Sequence, residues 1–144
     1  MSTIKDKIVV ITGSTRGFGF AIADAMLTAG AAVAITGRSQ EAVSATLAKL
    51  QSKGRVSGFV VDVRSEEQIY KLVEDVLKEF GHIDIWINNA GYSNAAGMML
   101  DMDPQEALDM FMSNDLGVFR CTQAIMRHML PRKEGMAPIS NQEK

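Results

Sequence analysis

The chain has 144 residues, of which 47% are hydrophobic and 22% are charged, and its formal net charge is −2. This composition is ordinary for one globular domain and excludes a mainly disordered chain, since disordered chains contain fewer apolar residues. The small net charge excludes a strong field that would attract nucleic acid or an anionic membrane. We therefore expect a globular domain with neither of these partners.

Four short apolar runs, rich in β-branched residues, predict strands that are buried on both faces. They span residues 7–12, 32–36, 56–61 and 83–87. Stretches with helical spacing separate them, which is typical of βαβ units and a parallel sheet. Right-handed crossovers then give the strand order 3-2-1-4. The predicted fold class is α/β, a partial doubly wound, Rossmann-like parallel sheet with helices on both faces.

Amphipathic helices are predicted between these strands. The first helix ends at Gly30, and the third helix begins at a capping-box sequence in which the side chains of Ser65 and Gln68 satisfy free amides. The apolar spacing of the first helix predicts a buried stripe of Phe18, Ile22, Ala25, Met26 and Ala29.

One long helix is predicted from Pro104 to Leu130, with Leu108, Phe111 and Phe119 among its buried positions. Beyond it, Pro138 and the absence of a β-branched run argue against a fifth central strand. We therefore expect residues 1–130 to form one incomplete nucleotide-binding domain and residues 131–144 to form a polar, frayed tail.

Three glycines lie between the first strand and the first helix. They allow a tight turn and let the backbone approach a pyrophosphate, to which the helix N-terminus offers free amides and a positive dipole end. A plain tight turn is the alternative, but the strand–helix context favours a nucleotide site. The glycine spacing differs from the common dinucleotide fingerprint, since the loop reads Thr12-Gly13-Ser14-Thr15-Arg16-Gly17-Phe18-Gly19.

Together with three later motifs, this loop resembles the short-chain dehydrogenase/reductase family over about residues 5–130. The later motifs are Asp62-Val63 after the third strand, Asn88-Asn89-Ala90-Gly91 after the fourth, and Asn114 on the last helix. Phe18 departs from the aliphatic residue that is usual in the family's glycine motif. The resemblance implies an oxidoreductase with a nicotinamide cofactor, acting on a small carbonyl or alcohol.

The resemblance also assigns roles to residues. Asn114 matches a catalytic residue of the family, Asp62 and Val63 would flank the adenine, and residues 89–91 would lie on the ribose side. The candidate cofactor-binding residues are Gly13, Ser14, Thr15, Arg16, Gly17, Phe18, Gly19, Arg38, Asp62, Val63, Asn89, Ala90 and Gly91.

The end of the second strand bears on the choice of cofactor. An NAD-binding unit usually places a carboxylate ~20 residues past the glycines, where it holds the ribose 2′-hydroxyl. Here the sequence is Thr36-Gly37-Arg38-Ser39, without a carboxylate. Arg38, with Arg16 in the glycine loop, would pair with a 2′-phosphate. The alternative is that both arginines are solvated surface charges, and we favour NADP(H).

The family's hydride transfer depends on a Tyr followed four residues later by a Lys, with a Ser nearby. Here Tyr70 is followed by Glu74 and Tyr92 by Ala96, and Ser140 lacks a predicted strand to orient it. Two hypotheses follow. The chain is a truncated NADP-dependent oxidoreductase, inactive by itself, or a non-catalytic remnant that binds a nucleotide or pairs with another chain through the 104–130 helix.

The remaining candidates for chemistry have simpler interpretations. Cys121 is the only cysteine, so it forms neither an internal disulfide nor a thiolate metal cage, and we expect it to be a small apolar residue on the last helix. His82 and His128 lack ligand spacing and are predicted to be structural rather than metal-binding. No apolar run approaches the ~18 residues of a membrane span, and a cytoplasmic location is expected.

Overall fold

A computed structural model of the protein describes residues 3–93, 99–132 and 139–140. Within these residues the fold is a parallel sheet of five strands in the order β3-β2-β1-β4-β5. The predicted order 3-2-1-4 is confirmed, with one more strand outside β4. The strands are β1 (Ile8–Ile11), β2 (Ala32–Gly37), β3 (Val56–Val60), β4 (Ile85–Asn88) and β5 (Ile139–Ser140).

Helices cover both faces of the sheet, as predicted. They are α1 (Gly17–Thr28), α2 (Gln40–Leu50), α3 (Glu66–Phe80), α4 (Pro104–Phe111) and α5 (Gly117–Arg132). Successive strand residues alternate between two apolar clusters, because side chains of a strand point to opposite faces. Val10 and Trp86 face α3 and α5, whereas Val9 and Ile11 face α1. Among the described residues, no helix is both long and apolar enough to cross a membrane.

The buried face of α1 differs from the predicted stripe. Gly19, Ala23 and Leu27 are buried, whereas Phe18 is 84% exposed. The reason is the close approach of α1 to the loops at the end of the sheet. A Cβ built on Gly19 would overlap the Nδ2 atom of Asn89 and lie 2.5 Å from Gly13 O. The helix therefore packs through a glycine, which an apolar pattern does not reveal.

The capping box at the start of α3 is only half formed. Ser65 Oγ accepts a hydrogen bond from Gln68 N at 3.4 Å, as expected. The Gln68 side chain does not return to Ser65, because Ser65 N donates to Asp62 O at 3.0 Å. Gln68 Oε1 instead accepts from Asp62 N at 2.9 Å. The same side chain thus holds the end of β3 against the start of α3.

The predicted helix 104–130 is not continuous. A π-helical turn at Met112–Leu116 separates α4 from α5. A π turn inserts an extra residue and rotates the following face, so one stripe of 3.6-residue period cannot continue through it. Accordingly, Leu108, Phe111 and Phe119, all predicted to be buried, are 50%, 54% and 62% exposed.

A short strand follows α5 where the sequence predicted a frayed end and no central strand; β5 lies at the edge of the described sheet, so the prediction of a frayed end is wrong for residues 139–140. Ile139 pairs with Ile87 and Ser140 with Asn88 in parallel register. The strand has two residues and begins after Pro138 in the sequence, so the amide that proline lacks is not needed within this pairing. The predicted tail also starts too early, because Pro131 and Arg132 belong to α5. Its other residues, 133–138 and 141–144, lie outside the described residues.

Candidate nucleotide-binding cleft

A cleft of about 970 Å³ opens at the carboxyl ends of β1 to β4. This is the edge at which open α/β sheets bind ligands. The glycine loop, the ends of β2 and β3, the loop after β4 and part of α4 line it. The predicted residues that line it are Gly13, Thr15, Arg16, Gly17, Phe18, Arg38, Asp62, Val63, Asn89, Ala90 and Gly91.

Three predicted residues do not line the cleft. Ser14 is fully buried, and its Oγ donates to Ile11 O at 2.8 Å and accepts from Thr36 N at 2.8 Å. Its side chain therefore fixes the glycine loop to β2. Gly19 is buried beneath Asn89, and Asn114 lies behind the loop that follows β4.

The glycine loop takes a backbone that only glycine adopts easily. Gly13 has φ +64°, and a Cβ built there would lie 2.8 Å from the Cα of Ala90. Both the dihedral and the space exclude a side chain. The backbone of the loop consequently lies directly against the loop after β4, and the two together form one wall of the cleft.

The N-terminus of α1 is the one without a side-chain cap among the four α-helices of the described residues for which a cap residue is defined. Ser39, Ser65 and Asp103 cap α2, α3 and α4, whereas Arg16 gives α1 no side-chain hydrogen bond. The first turn of α1 also contains no acidic residue. Uncapped amides and the positive dipole end then favour an anionic group. The N-terminus of α1 therefore fits a pyrophosphate group.

Two arginines lie at the edge of the sheet where the cleft opens, Arg38 after β2 and Arg16 in the glycine loop. Gly37 pairs with Val60, and Val61 N donates to Gly37 O at 2.9 Å, so Arg38 and Asp62 leave neighbouring strand ends. Arg16 and Arg38 both line the cleft and are exposed. The two arginines that the sequence analysis assigned to a 2′-phosphate therefore line the same cleft.

Asp62 does not stand alone at this edge. Its Oδ1 accepts from Arg64 Nε at 3.0 Å and its Oδ2 from Arg64 Nη2 at 2.6 Å. The Arg64 guanidinium holds the pKa of Asp62 below its ordinary value, against the opposing effect of burial. Arg64 Nη1 also lies 3.6 Å from Asp109 Oδ1. Sequence reasoning missed Arg64 and Asp109; the Asp-x-Arg spacing after a strand was the available signal.

Asn89 joins the two loops that form the cleft wall. Its Nδ2 donates to Thr12 O at 3.1 Å and to Gly13 O at 3.0 Å. In return, Thr12 Oγ1 accepts from Asn89 N and Ala90 N, each at 3.0 Å. Thr12, which sequence reasoning left out of the candidate site, is therefore the partner that fixes residues 89 and 90.

Asn114 lies in the π turn and bonds the backbone of Tyr92 in both directions. Its Oδ1 accepts from Tyr92 N at 2.8 Å, and its Nδ2 donates to Tyr92 O at 2.8 Å. Ser113 Oγ donates to the same Oδ1 at 2.9 Å. The side chain thus positions the loop after β4 as a neighbouring strand would.

Of the candidates for proton transfer, Tyr92 is the one that the described residues place at the cleft. Tyr92 lines the cleft, while its fourth successor, Ala96, lies outside the described residues. Tyr70 is half-buried on α3, with the Arg127 guanidinium carbon 5.7 Å from its ring centre, which agrees with the packing role expected for it. The expectation that Ser140 lacks a strand is wrong, since it belongs to β5.

Cys121 is buried in the core on α5, as expected, and burial raises the pKa of its thiol to about 12. His82 Nε2 lies 3.1 Å from Asp84 Oδ2. Among the described ranges, no group of three or more histidine, cysteine, aspartate or glutamate side chains is arranged to hold a metal ion.

Comparison with known proteins identifies the family to which the chain is similar. The sequence model described as "short chain dehydrogenase" matches residues 7–137. The 3-oxoacyl-[acyl-carrier-protein] reductase of Haemophilus influenzae is 36% identical over 132 residues, which are 92% of this chain and 53% of that protein. The 3alpha-hydroxysteroid dehydrogenase of Mediterraneibacter gnavus is 33% identical over 141 residues, 96% of this chain and 55% of its own length. The chain spans about half the length of these relatives.

Solved structures of dehydrogenases also match the fold of the chain. An NAD⁺-bound xylitol dehydrogenase superposes with a TM-score of 0.90 at 28% identity, covering 96% of this chain and 54% of its own. A short chain dehydrogenase/reductase from Burkholderia phymatum in complex with NAD gives a TM-score of 0.90 at 27% identity, covering 97% and 50%. The glycine loop, the cleft at the carboxyl ends of the strands and these matches lead to one conclusion: the chain belongs to the short-chain dehydrogenase family of oxidoreductases.

Proposed function

We propose that this chain forms the cofactor-binding part of an NADP(H)-dependent short-chain oxidoreductase acting on a small carbonyl or alcohol. The observation that carries the proposal is that the N-terminus of α1 has no side-chain cap and lies, with the three-glycine loop before it, at the wall of the cleft. Two similar solved structures contain NAD, which supports a nicotinamide dinucleotide as the ligand class. When bound, the cofactor would give a hydride from its nicotinamide ring to a carbonyl or accept one from an alcohol.

The pyrophosphate is assigned to the glycine loop. There the positive φ values of Gly13 and Gly17 bring backbone close to the ligand, and the first-turn amides of α1 donate to it. Asn89 holds Gly13 O, while Gly13 N and Ser14 N donate to Thr36 on β2, so the ligand is assigned to the first-turn amides of α1 rather than to these two loop amides. The proposed contacts therefore use backbone groups that the fold already orients.

The 2′-phosphate is assigned to Arg38, assisted by Arg16. Both side chains line the cleft and are exposed, and β2 ends in Gly37-Arg38-Ser39 without a carboxylate. A carboxylate there would accept from a 2′-hydroxyl and repel a phosphate. A guanidinium instead forms paired, charge-assisted hydrogen bonds with a phosphate. This difference supports NADP(H) over NAD(H).

Asp62 and Val63 are assigned to the adenine, and Ala90 and Gly91 to the adjacent ribose, since all four line the cleft beyond the glycine loop. Asn114 matches a catalytic residue of the family by resemblance, and in the proposal it acts as a positioning residue. It bonds the backbone of Tyr92 and so sets the shape of the loop after β4, which lines the cleft.

A second candidate is nucleotide binding without turnover. It is favoured by one observation, namely that neither Tyr70 nor Tyr92 is followed four residues later by lysine. Partner binding would use the segment 104–130, on which Leu108, Phe111 and Phe119 are at least half exposed. Sedimentation of the purified chain with and without serine at these three positions tests that contact.

Two experiments test the proposal and separate the candidates. Arg38→Ser should lower the affinity for NADPH about tenfold or more, since it removes a charge-assisted contact, and should change the affinity for NADH little. Lys71→Gln, which removes an equal charge from an exposed position on α3, is the control. Oxidation of NADPH by the chain with any carbonyl substrate would exclude the non-catalytic candidate. Equal losses for NADPH and NADH in Arg38→Ser would contradict the phosphate assignment.

A further inference from the structure

We propose that Arg64 is a third determinant of cofactor specificity, which neutralises Asp62 and so leaves Arg38 available to the 2′-phosphate. The inference rests on the proposed NADP(H) site and goes beyond it. The residue would touch neither the phosphate nor the nicotinamide. It would act through Asp62, as a positioning residue.

The contact between Asp62 and Arg64 engages both carboxylate oxygens. Besides the bonds from Nε and Nη2, Arg64 N donates to Asp62 Oδ1 at 2.9 Å. Two-pronged pairing of this kind is among the stronger arrangements between an arginine and a carboxylate. The spacing of two residues lets the pair form locally, at the turn between β3 and α3. The geometry therefore commits the Asp62 carboxylate to Arg64.

Arg38 is the competing partner. It follows Gly37, which pairs with Val60, so Arg38 and Asp62 stand at neighbouring strand ends of one edge. Arg38 lies close enough to contribute to the lowered pKa of Asp62, although Arg64 contributes more. Without Arg64, the Asp62 carboxylate would be a bare negative charge beside the phosphate position and would attract the Arg38 guanidinium. Both effects oppose a 2′-phosphate and neither opposes a 2′-hydroxyl.

One other carboxylate faces Arg64 in the cleft wall. Asp109 lies 3.6 Å from Nη1, and its side chain is 39% exposed against 26% for Asp62. Because solvent screens the exposed Arg64–Asp109 pair, Asp109 weakens the interaction between Arg64 and Asp62 only slightly. Arg16, Arg38 and Arg64 are the arginines among the described cleft-lining residues, and Arg64 is the one whose guanidinium forms the two-pronged pair with Asp62.

The test compares two probes that differ only in the group at issue, adenosine 2′,5′-bisphosphate and 5′-AMP. The measured quantity is the ratio of their dissociation constants, from calorimetric titration at low salt, because contacts to adenine and the 5′-phosphate cancel in it. Arg64→Gln should reduce the preference for the bisphosphate about 3- to 10-fold, the size of an uncompensated charge interacting across a solvated cleft. Arg64→Lys should retain most of it, since the charge remains.

Removal of the Asp62 carboxylate, which Arg64→Gln would leave without its partner, gives the reverse test. Asp62→Asn in the Arg64→Gln background should restore the preference, and Asp62→Asn alone should maintain or raise it. Lys71→Gln, with the same loss of charge at an exposed position of α3 that does not line the cleft, should leave the ratio unchanged. Thermal melts confirm that each variant is folded. If Arg64→Gln does not fold, the ratio of dissociation constants in Asp62→Asn alone decides. A reduced preference for the bisphosphate in Asp62→Asn would contradict the inference.

The outcomes separate this inference from the function on which it rests. A wild-type chain that binds both probes equally would overturn the NADP(H) assignment itself, and the inference with it. A wild-type preference that survives intact in Arg64→Gln would overturn the inference alone. Equal weakening of both probes in Arg64→Gln would also overturn it, because Arg64 would then stabilise the site without selecting the phosphate.

Discussion

Gly19 on α1 lies directly beneath the side chain of Asn89, so that helix and loop meet where no Cβ fits. The Nδ2 of Asn89 thereby reaches Thr12 O and Gly13 O and closes the wall of the cleft. A single missing side chain thus lets the start of α1 approach the carboxyl ends of β1 and β4. The pyrophosphate site that we propose depends on this approach.

Replacement of Gly19 by alanine should therefore damage the cleft more than replacement of Gly17. The Cβ of Gly19→Ala would meet backbone at 2.5 Å, which we expect to cost about 3 kcal/mol of stability and to abolish dinucleotide binding. Gly17 has φ +56° but open space around it, so Gly17→Ala should cost only about 1–2 kcal/mol. Urea unfolding measures both, and a cost for Gly19→Ala no larger than that for Gly17→Ala would contradict the prediction that the close contact at Gly19 is decisive.

Asn114→Ala should release the loop after β4. The substitution removes both bonds to the Tyr92 backbone and the acceptor of Ser113, and we expect a loss of about 2–3 kcal/mol. Hydrogen exchange at the Tyr92 amide is the local measurement. It should accelerate strongly in Asn114→Ala and little in Ser113→Ala, while the Ile8 amide, which donates to Asp84 at the opposite edge, should keep its protection. Unchanged exchange at Tyr92 would contradict the positioning role.

Stability should fall in mildly acidic solution because of His128. Its Nε2 is buried and has no hydrogen-bond partner among the described residues, and burial, followed by the charges of Arg132 and His82, lowers its pKa below the ordinary 6.5. The unfolded chain then binds a proton first as the pH falls through 6.5, so this contribution to stability is present above that pH and is lost toward the lower folded pKa. His128→Gln should flatten the dependence of unfolding free energy between pH 7.5 and 5. An equally steep dependence in the variant would assign it to other groups.

Cys121 should be unreactive in the folded protein. Its thiol is buried and its pKa is raised to about 12, so almost no thiolate exists at neutral pH. A thiol reagent at pH 8 should modify it only at the rate of unfolding, and fully in denaturant. Rapid modification of the native chain would show that α5 does not pack on the sheet as described.

The sequence predicted those features that depend on local patterns. Short β-branched runs bounded by turn residues, such as residues 8–11, are typical of buried strands, and their alternation with helices through right-handed crossovers predicts the order around β1. Most of the glycine loop and residues 89–91 line the cleft, because they follow strands whose carboxyl ends meet at one edge of a parallel sheet.

The features that were missed depend on contacts distant in the chain. The buried face of α1 is set by the approach of Asn89 to Gly19, which contributes no apolar side chain to the pattern. The break between α4 and α5 has no periodic signature, because Asn114 is drawn to the Tyr92 backbone only in the folded state. The two residues of β5 are too few to show alternation.

The affinity of the purified chain for NADPH and NADH, measured side by side, tests the central claim most directly. The arginines at the end of β2 and in the glycine loop predict that NADPH binds at least about tenfold more tightly, with the difference shrinking as salt is added. Equal affinity for the two cofactors, or tighter binding of NADH, would contradict the assignment of Arg38 and Arg16 to a 2′-phosphate.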